Sequence, residues 1–360
     1  MRVLVVDDSP VMRLLLHAVL SHEGFEVREA DSGEQALQLL EGYQPDIVTM
    51  DVHMPGMDGF ETIERILEKY ALPVVILTAN SNESASTTVM RGLEVGALAV
   101  LEKPSGPDVA DFHERIDELL RTLRSMAQVK IVRRQRKPAK ASRFGADGAG
   151  VGAQLIQNVA LQRPLLVAIA ASAGGPAALK VLLQNLVPPY PWTLVLVQHI
   201  APGFLPGFRS WLEGLSALPV AIAEVGQDLA PGVLYLTPDA HHLGFSHDRR
   251  VLLQPGAPHE PICPSADHLF RAAAKHFARQ AIGIQLSGMG RDGAEGLLAL
   301  RQAGGLTLAQ EPGSAMIGSM PQAAIDLQAV QQRLPPEGIA ALLNAIAARV
   351  TTQASQGRST

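Results

Sequence analysis

Four short apolar runs punctuate the first 124 residues, at 3–6, 46–50, 73–78 and 97–101, and 26–30 is a fifth strand candidate. Amphipathic stretches such as 11–21 and 33–40 lie between them. Runs of this length suit strands, and strands that alternate with helical patterns need a parallel sheet covered by helices on both faces. The region is therefore read as a doubly wound (βα)5 domain over residues 1–124. The alternation then stops. Residues 125–160 carry Lys130, Arg133, Arg134, Arg136, Lys137, Lys140 and Arg143, then the run GADGAGVGA, and read as a flexible linker. Alternation resumes at 165–171, 193–198 and 281–287, with strand-like pieces at 220–223, 232–236 and 250–253 set among Gly and Pro as a hairpin insertion. Residues 161–350 are thus expected to form a second, larger doubly wound parallel α/β domain, and 351–360 a disordered polar tail.

Composition bounds the function classes. Hydrophobic residues make up 47% and charged residues 18%, enough for two packed cores. A formal net charge of −5 argues against nucleic acid as a general partner. The single cysteine, Cys263, allows no internal disulfide, and no apolar stretch is long enough to span or enter a bilayer. The expected location is the cytoplasm.

Asp7 and Asp8 end the first strand and Asp51 ends the third. In an open parallel sheet the carboxyl ends of strands meet where the winding reverses, so the three carboxylates should converge. Crowded carboxylates need a cation, and an all-oxygen site with open positions suits Mg²⁺. Asp51 is then a nucleophile for a phosphoryl group. Thr78, closing the fourth strand, offers a hydroxyl to a phosphoryl oxygen, and Lys103, after the fifth, offers a compensating ammonium. Lys103-Pro104 reads as a fixed turn and a candidate cis bond.

In the second domain the run LLVAIAA leads through SAGGP into AALKVLLQNL, a strand, a tight turn and a helix. Ser172 stands at the turn. It fits a helix N-cap, a nucleophile beside free backbone N–H groups, or part of a phosphate-binding turn, although this turn itself carries neither GxGxxG nor GKS/T. A serine nucleophile needs a base and an orienting carboxylate. His199 follows the strand TLVLVQ, and Asp292 follows AIGIQLSG within MGRDG, so all three groups lie beyond ends of buried strands on one sheet edge. The chain order Ser–His–Asp and the absence of GxSxG separate the domain from ordinary α/β-hydrolases. Of the remaining residues, adjacent His241 and His242 would face opposite sides of a strand, Cys263 reads as inert, Glu295 as a helix N-terminal charge, and His259 and Asp267 as structural residues near the cleft.

The motifs DDSPVMR, DVHMPGMDG, the Thr after VVIL, and EKP resemble the receiver domain of two-component response regulators. That resemblance implies phosphotransfer from a histidine kinase to Asp51, with Mg²⁺ held by Asp8, Asp51 and the backbone carbonyl of His53, and Asp7 assisting. Val100 stands where such domains usually carry an aromatic residue. The motifs AASAGGPAAL, VQHIAPGF, YLTPDAHHL, SADHLF and LSGMGRDGAEG resemble the catalytic domain of chemotaxis protein-glutamate methylesterases, from about Leu165 to Ile346. That resemblance implies hydrolysis of γ-glutamyl methyl esters, and deamidation of particular glutamines, on the cytoplasmic helices of methyl-accepting chemoreceptors for sensory adaptation. Ser172 would be the nucleophile, His199 the base and acid, and Asp292 the orienting carboxylate. Backbone N–H groups near Ala173 and Met289 would form the oxyanion hole, and the hydrolase needs no cofactor. The sequence departs from the usual pattern at Ala173 (commonly Thr), in EPICPS, which lacks an Arg before Ser265, and at Ser319-Met320-Pro321. A second class of function is a receiver-controlled scaffold whose hydrolase-like domain is inactive.

Overall fold

The computed structural model describes residues 1–78, 83–104, 106, 109, 111–129, 131, 149–163, 165–201, 203–258, 260 and 262–356, with the backbone alone for 83–88, 149–153 and 353–356. The chain divides into two compact units, Met1–Gln135 and Arg136–Thr360.

The first unit alternates β1 (Arg2–Val6), α1 (Pro10–His22), β2 (Glu26–Ala30), α2 (Gly33–Leu39), β3 (Ile47–Asp51), α3 (Gly59–Lys69), β4 (Val74–Thr78), α4 (Glu83–Val95), β5 (Ala99–Glu102) and α5 (Phe112–Met126). All strand pairings are parallel, in the order β2-β1-β3-β4-β5. Side chains that cap their own helices explain three of the starts. Ser9 accepts from the Met12 N–H, Ser32 from Gln35 and Asp58 from Glu61. The winding reverses between β1 and β3, which places the ends of those two strands at the mouth of the sheet.

The second unit runs α6 (Ala149–Leu161), β6 (Leu166–Ala171), α7 (Gly175–Gln184), β7 (Thr193–Gln198), α8 (Leu205–Leu215), β8 (Val220–Ile222), β9 (Leu234–Leu236), β10 (His241–Phe245), β11 (Val251–Pro255), α9 (Ala266–His276), β12 (Ala281–Gln285), α10 (Ala294–Gln302), β13 (Leu306–Gln310), α11 (Ser319–Asp326), β14 (Gln332–Leu334) and α12 (Pro336–Gln356). Seven strands form one wholly parallel sheet, ordered β14-β13-β12-β6-β7-β9-β8. Its central strands β12, β6 and β7 are buried along their whole length, as a sheet covered on both faces requires. Winding proceeds from β6 towards β7 and later returns to β12 on the other side, so the switch point lies at the end of β6. Phe270, on α9, is fully buried in the core with Leu269, Ala273, Leu297 and Leu300.

Several expectations need correction. β8 and β9 join the main parallel sheet, because Val220 and Leu194 both pair with Leu234; only β10 and β11 form an antiparallel hairpin apart from it. Residues 149–160, read as part of a flexible linker, form α6 together with Leu161, and the helix packs on α12 with Val159 and Ala160 buried. Alanines and one-sided apolar positions outweigh the helix-weakening glycines there. The linker residues 130 and 132–148, with their basic run, lie outside the described residues. The polar tail from 351 continues α12 as far as Gln356, and 357–360 lie outside the described residues. Lys103–Pro104 is trans; among the described residues the cis bonds precede Pro189 and Pro264. Among the described residues no helix is long and apolar enough to cross a membrane.

Phe270→Ala leaves a cavity between α9, α10 and the sheet. It should lower unfolding stability of the second unit by about 3–5 kcal/mol, seen as a lower denaturant midpoint with little change in slope.

Candidate active site and phosphoacceptor pocket

In the first unit, register brings the predicted residues together. Asp7 leaves β1, Asp51 ends β3, and the carboxylates of Asp7, Asp8 and Asp51 can each offer an oxygen within 4.8 Å of the others. Asp7 and Asp51 are almost wholly buried, whereas Asp8 is exposed. Lys103 Nζ bridges Asp7 Oδ2 at 2.7 Å and Asp51 Oδ2 at 2.8 Å. Burial raises the Asp7 carboxyl above the usual range despite that ammonium. Burial works against the Lys103 charge, but the hydrogen bonds from Asp51 and Asp7 outweigh it and raise its pKa. Three acids facing one lysine leave surplus negative charge, and the donors are all oxygens. The residues present therefore fit a hard divalent cation such as Mg²⁺. The His53 N–H donates to Asp51 Oδ1 at 3.2 Å, so the backbone of His53 wraps the same carboxylate. Thr78 is buried at the end of β4. Val100, on β5, is buried opposite Ile76, with no aromatic ring at that place.

In the second unit, Ala171 pairs with Gln198 and the His199 N–H donates to the Ala171 carbonyl at 2.9 Å. Ser172 and His199 therefore leave adjacent strands side by side, with backbones about 5 Å apart. On the other side, Ala170 pairs with Gln285, and the Ser172 N–H donates to the Ser287 carbonyl at 3.0 Å. The turn itself depends on glycine. Gly174 has φ +74°, and a Cβ there would meet Ser287 Oγ at 2.6 Å. A Cβ on Gly288 would come within 2.8 Å of the Ser172 Cβ, so only glycine lets the loop after β12 approach the serine. One buried amide ties both chain reversals, since Gln198 Nε2 donates to the carbonyls of Ser172 and His199, each at 2.9 Å.

Asp292 lies in the loop between β12 and α10 and is nearly buried. His199 Nε2–H donates to its Oδ2 at 2.9 Å. The carboxylate also accepts from Ser265 Oγ–H (2.8 Å), Ala266 N–H (2.6 Å) and Asp267 N–H (3.0 Å), so it sits on the N-terminus of α9. Burial opposes its charge, but the hydrogen bonds from His199, Ala266 and Asp267 outweigh that and hold its pKa below the usual carboxylate value. A carboxylate only accepts, so the His199 proton resides on Nε2 and the Nδ1 lone pair is left for a proton from Ser172. Relative to serine proteases the two ring nitrogens exchange places, and the tautomer logic is unchanged. Among the described residues, Ser172 Oγ has no hydrogen-bond partner, and neither Ala173 N–H nor Met289 N–H meets a protein acceptor, whereas the neighbouring N–H groups of Gly288 and Gly290 do. Those two free donors flank the serine.

Other predicted residues fall away from the chemistry. His241 Nδ1 bonds the Asp239 carbonyl, while His242 turns inward. Burial pushes the Cys263 thiol up. Glu295 pairs with Arg271, and Asp267 Oδ1 accepts from the Gly296 N–H at 2.6 Å. His259 lies outside the described residues. Sequence reasoning missed Gln198, Gln285 and Ser265. The signal was present: two glutamines end buried strands, and Ser265 stands before the helical run ADHLF. Gln285 Nε2 donates to the Asp292 carbonyl at 2.8 Å.

The family model described as CheB methylesterase matches residues 167–343, and that described as response regulator receiver domain matches 3–117. A protein from Hahella chejuensis named protein-glutamate methylesterase/protein-glutamine glutaminase 3 is 43% identical over 96% of this chain and 98% of its own. Relatives with the corresponding name from Methanospirillum hungatei and Syntrophus aciditrophicus are each 38% identical over 97% of this chain and 99% of their own.

Because its folded pKa is depressed, Asp292 contributes stability that is fully present above its unfolded value of about 3.9 and is lost as pH falls through the lower folded value. The melting-temperature gap between the wild type and Asp292→Asn should be steady at neutral pH and narrow once pH drops below about 4. A gap unchanged down to pH ~3 would show that the carboxylate is not held in this way.

Proposed function

The chain belongs to the family of protein-glutamate methylesterases/protein-glutamine glutaminases that carry a receiver domain, and from that premise we propose that Ser172, His199 and Asp292 carry its hydrolysis while Asp51 regulates it. The protein is a carboxylic ester hydrolase with a second, amidohydrolase activity. The observation that carries the site assignment is the His199–Asp292 hydrogen bond beside a serine placed on the neighbouring strand end.

Ser172 Oγ attacks the γ-carbonyl carbon of a glutamyl methyl ester as its proton passes to His199 Nδ1. Ala173 and Met289 N–H groups stabilise the resulting oxyanion, each contributing about 3–4 kcal/mol in holes of this type. The carbon–methoxy bond breaks, the methoxide takes the proton from Nδ1, and methanol leaves an ester on Ser172. Water then attacks that ester, giving its proton to Nδ1. The second tetrahedral species collapses, Ser172 recovers the proton, and a glutamate carboxylate departs. With glutamine the leaving group is ammonia. Asp292 stays ionised throughout and fixes the His199 ring.

The substrates are the cytoplasmic helices of methyl-accepting chemoreceptors, and the reaction resets their sensitivity during adaptation. A histidine kinase supplies the phosphoryl group, which Asp51 accepts, and the protein works in the cytoplasm. Asp8, Asp51 and the His53 carbonyl would hold Mg²⁺, with Asp7 assisting; the ion offsets negative charge when a phosphoryl group arrives. Thr78 and Lys103 meet the phosphoryl oxygens. The receiver occupies residues 1–124 and the catalytic domain 161–350. An inactive scaffold is disfavoured, because relatives matched over nearly their whole length bear the methylesterase/glutaminase name and the His199–Asp292 pair stands beside Ser172.

Ser172→Ala should lower methanol release from methylated receptor membranes by on the order of 10⁴-fold or more while receptor binding persists. A small phosphodonor should raise the rate of the wild-type full chain and leave Asp51→Asn unchanged. An equal response from both would remove Asp51 from the regulatory role.

A further inference from the structure

Behind Asp292 lies a second hydrogen-bond chain that the reaction steps do not use. Glu260 Oε2 meets His242 Nε2 at 3.0 Å, and His242 Nδ1 accepts from the Ser265 backbone N–H at 3.1 Å. His242 is nearly buried and stacks on His268 with ring centroids 5.0 Å apart. The acceptor role at Nδ1 leaves the proton on Nε2, where it is donated to Glu260, so the two bonds define one tautomer. Ser265 then does two things with one side chain. Its oxygen caps α9, accepting from the His268 N–H at 3.3 Å, and its hydroxyl proton goes to Asp292 Oδ1 at 2.8 Å. The cap orients the hydroxyl, because an oxygen that accepts along one direction must donate along another.

We propose that Ser265, set in place by His242 and Glu260, is a positioning residue for the His199–Asp292 pair. It is not in contact with substrate. It sets the plane of the Asp292 carboxylate, so that Oδ2 meets His199 Nε2 and the ring presents Nδ1 to Ser172. Without the hydroxyl, the carboxylate keeps the Ala266 and Asp267 N–H groups but loses the donor on the Oδ1 side that comes from a side chain. Oδ1 is then held by the Asp267 N–H alone, so the plane is less firmly fixed. The negative charge is also less dissipated, so it stabilises the His199 imidazolium more strongly.

The test separates positioning from helix capping by its choice of variants. Glycine caps helices nearly as well as serine but carries no hydroxyl. Full-length Ser265→Gly should therefore keep its helix start and fold, with a melting temperature lowered by no more than the loss of one hydrogen bond to Asp292. Its kcat for methanol release from methylated receptor membranes should fall about tenfold or more, with KM within about twofold. The acidic limb of its kcat/KM–pH profile should move to higher pH. Ser265→Thr, which keeps cap and hydroxyl, should restore both rate and profile. His242→Leu removes the acceptor for the Ser265 N–H and should reproduce the kinetic signature of Ser265→Gly. His242→Asn, whose amide oxygen can take the place of Nδ1, should stay near the wild type. A folded Ser265→Gly with wild-type kcat and an unmoved profile overturns the proposal. So does a kcat loss that Ser265→Thr fails to restore. The proposal rests on the Ser172 reading. If Ser172→Ala keeps its rate in the same assay, both fall, whereas a Ser172-dependent rate indifferent to Ser265 overturns only the positioning role.

Discussion

The buried carboxylate of Asp292 is the constraint on which the catalytic unit depends. A charge so placed is tolerable only if its lone pairs are filled, and four donors fill them: His199, Ser265 and the first two amides of α9. Each donor comes from a defined place in the fold. His199 requires β7 beside β6, and Ser265 and its neighbours require α9 to start at the mouth of the sheet. Satisfying one carboxylate therefore fixes a strand end and a helix start relative to the loop after β12. The same contacts select the histidine tautomer that leaves Nδ1 basic. On the reading proposed for Ser172, stability and catalysis draw on one set of hydrogen bonds.

The phosphoacceptor pocket is built on the opposite principle. There the negative charge is under-compensated, with three carboxylates around Lys103. Burial raises Asp7, a sign that the pocket does not hold its full charge comfortably. On the reading proposed for Asp51, that unsatisfied charge is what a cation and a phosphoryl group would meet. Asp292, by contrast, is satisfied at rest and has only to remain so. Within β5, Val100 supplies a buried aliphatic side chain where receiver domains usually carry an aromatic ring.

Much of this was legible in the sequence because parallel strands are buried on both faces and so read as apolar runs. The strands carrying Asp7, Asp51, Ser172 and His199 were placed to within a residue or two, and their ends supplied the site residues. What escaped has physical reasons. β8 and β9 were located as strand-like pieces, but three residues set among Gly and Pro do not show which sheet they join. β13 and β14 come late, where Gly304 and Gly305 hide the start of LTLAQ. The helix α6 was mistaken for tether because its first residues continue a Gly-rich run and its apolar face shows only against α12. Ser265 escaped because a capping serine is common, and its second bond joins residues 27 apart in sequence. Long-range hydrogen bonds of that kind leave no local pattern.

The central claim is that ester and amide substrates share one acyl intermediate on Ser172. Nucleophile partitioning tests it directly. The full chain is given a γ-glutamyl methyl ester and, separately, the corresponding glutamine, each with the same concentration of hydroxylamine, and the ratio of hydroxamate to glutamate is measured. A common acyl-Ser172 predicts the same ratio from both substrates, with no enzyme-dependent hydroxamate from Ser172→Ala. Ratios that follow the leaving group, or hydroxamate that persists in Ser172→Ala, would contradict it.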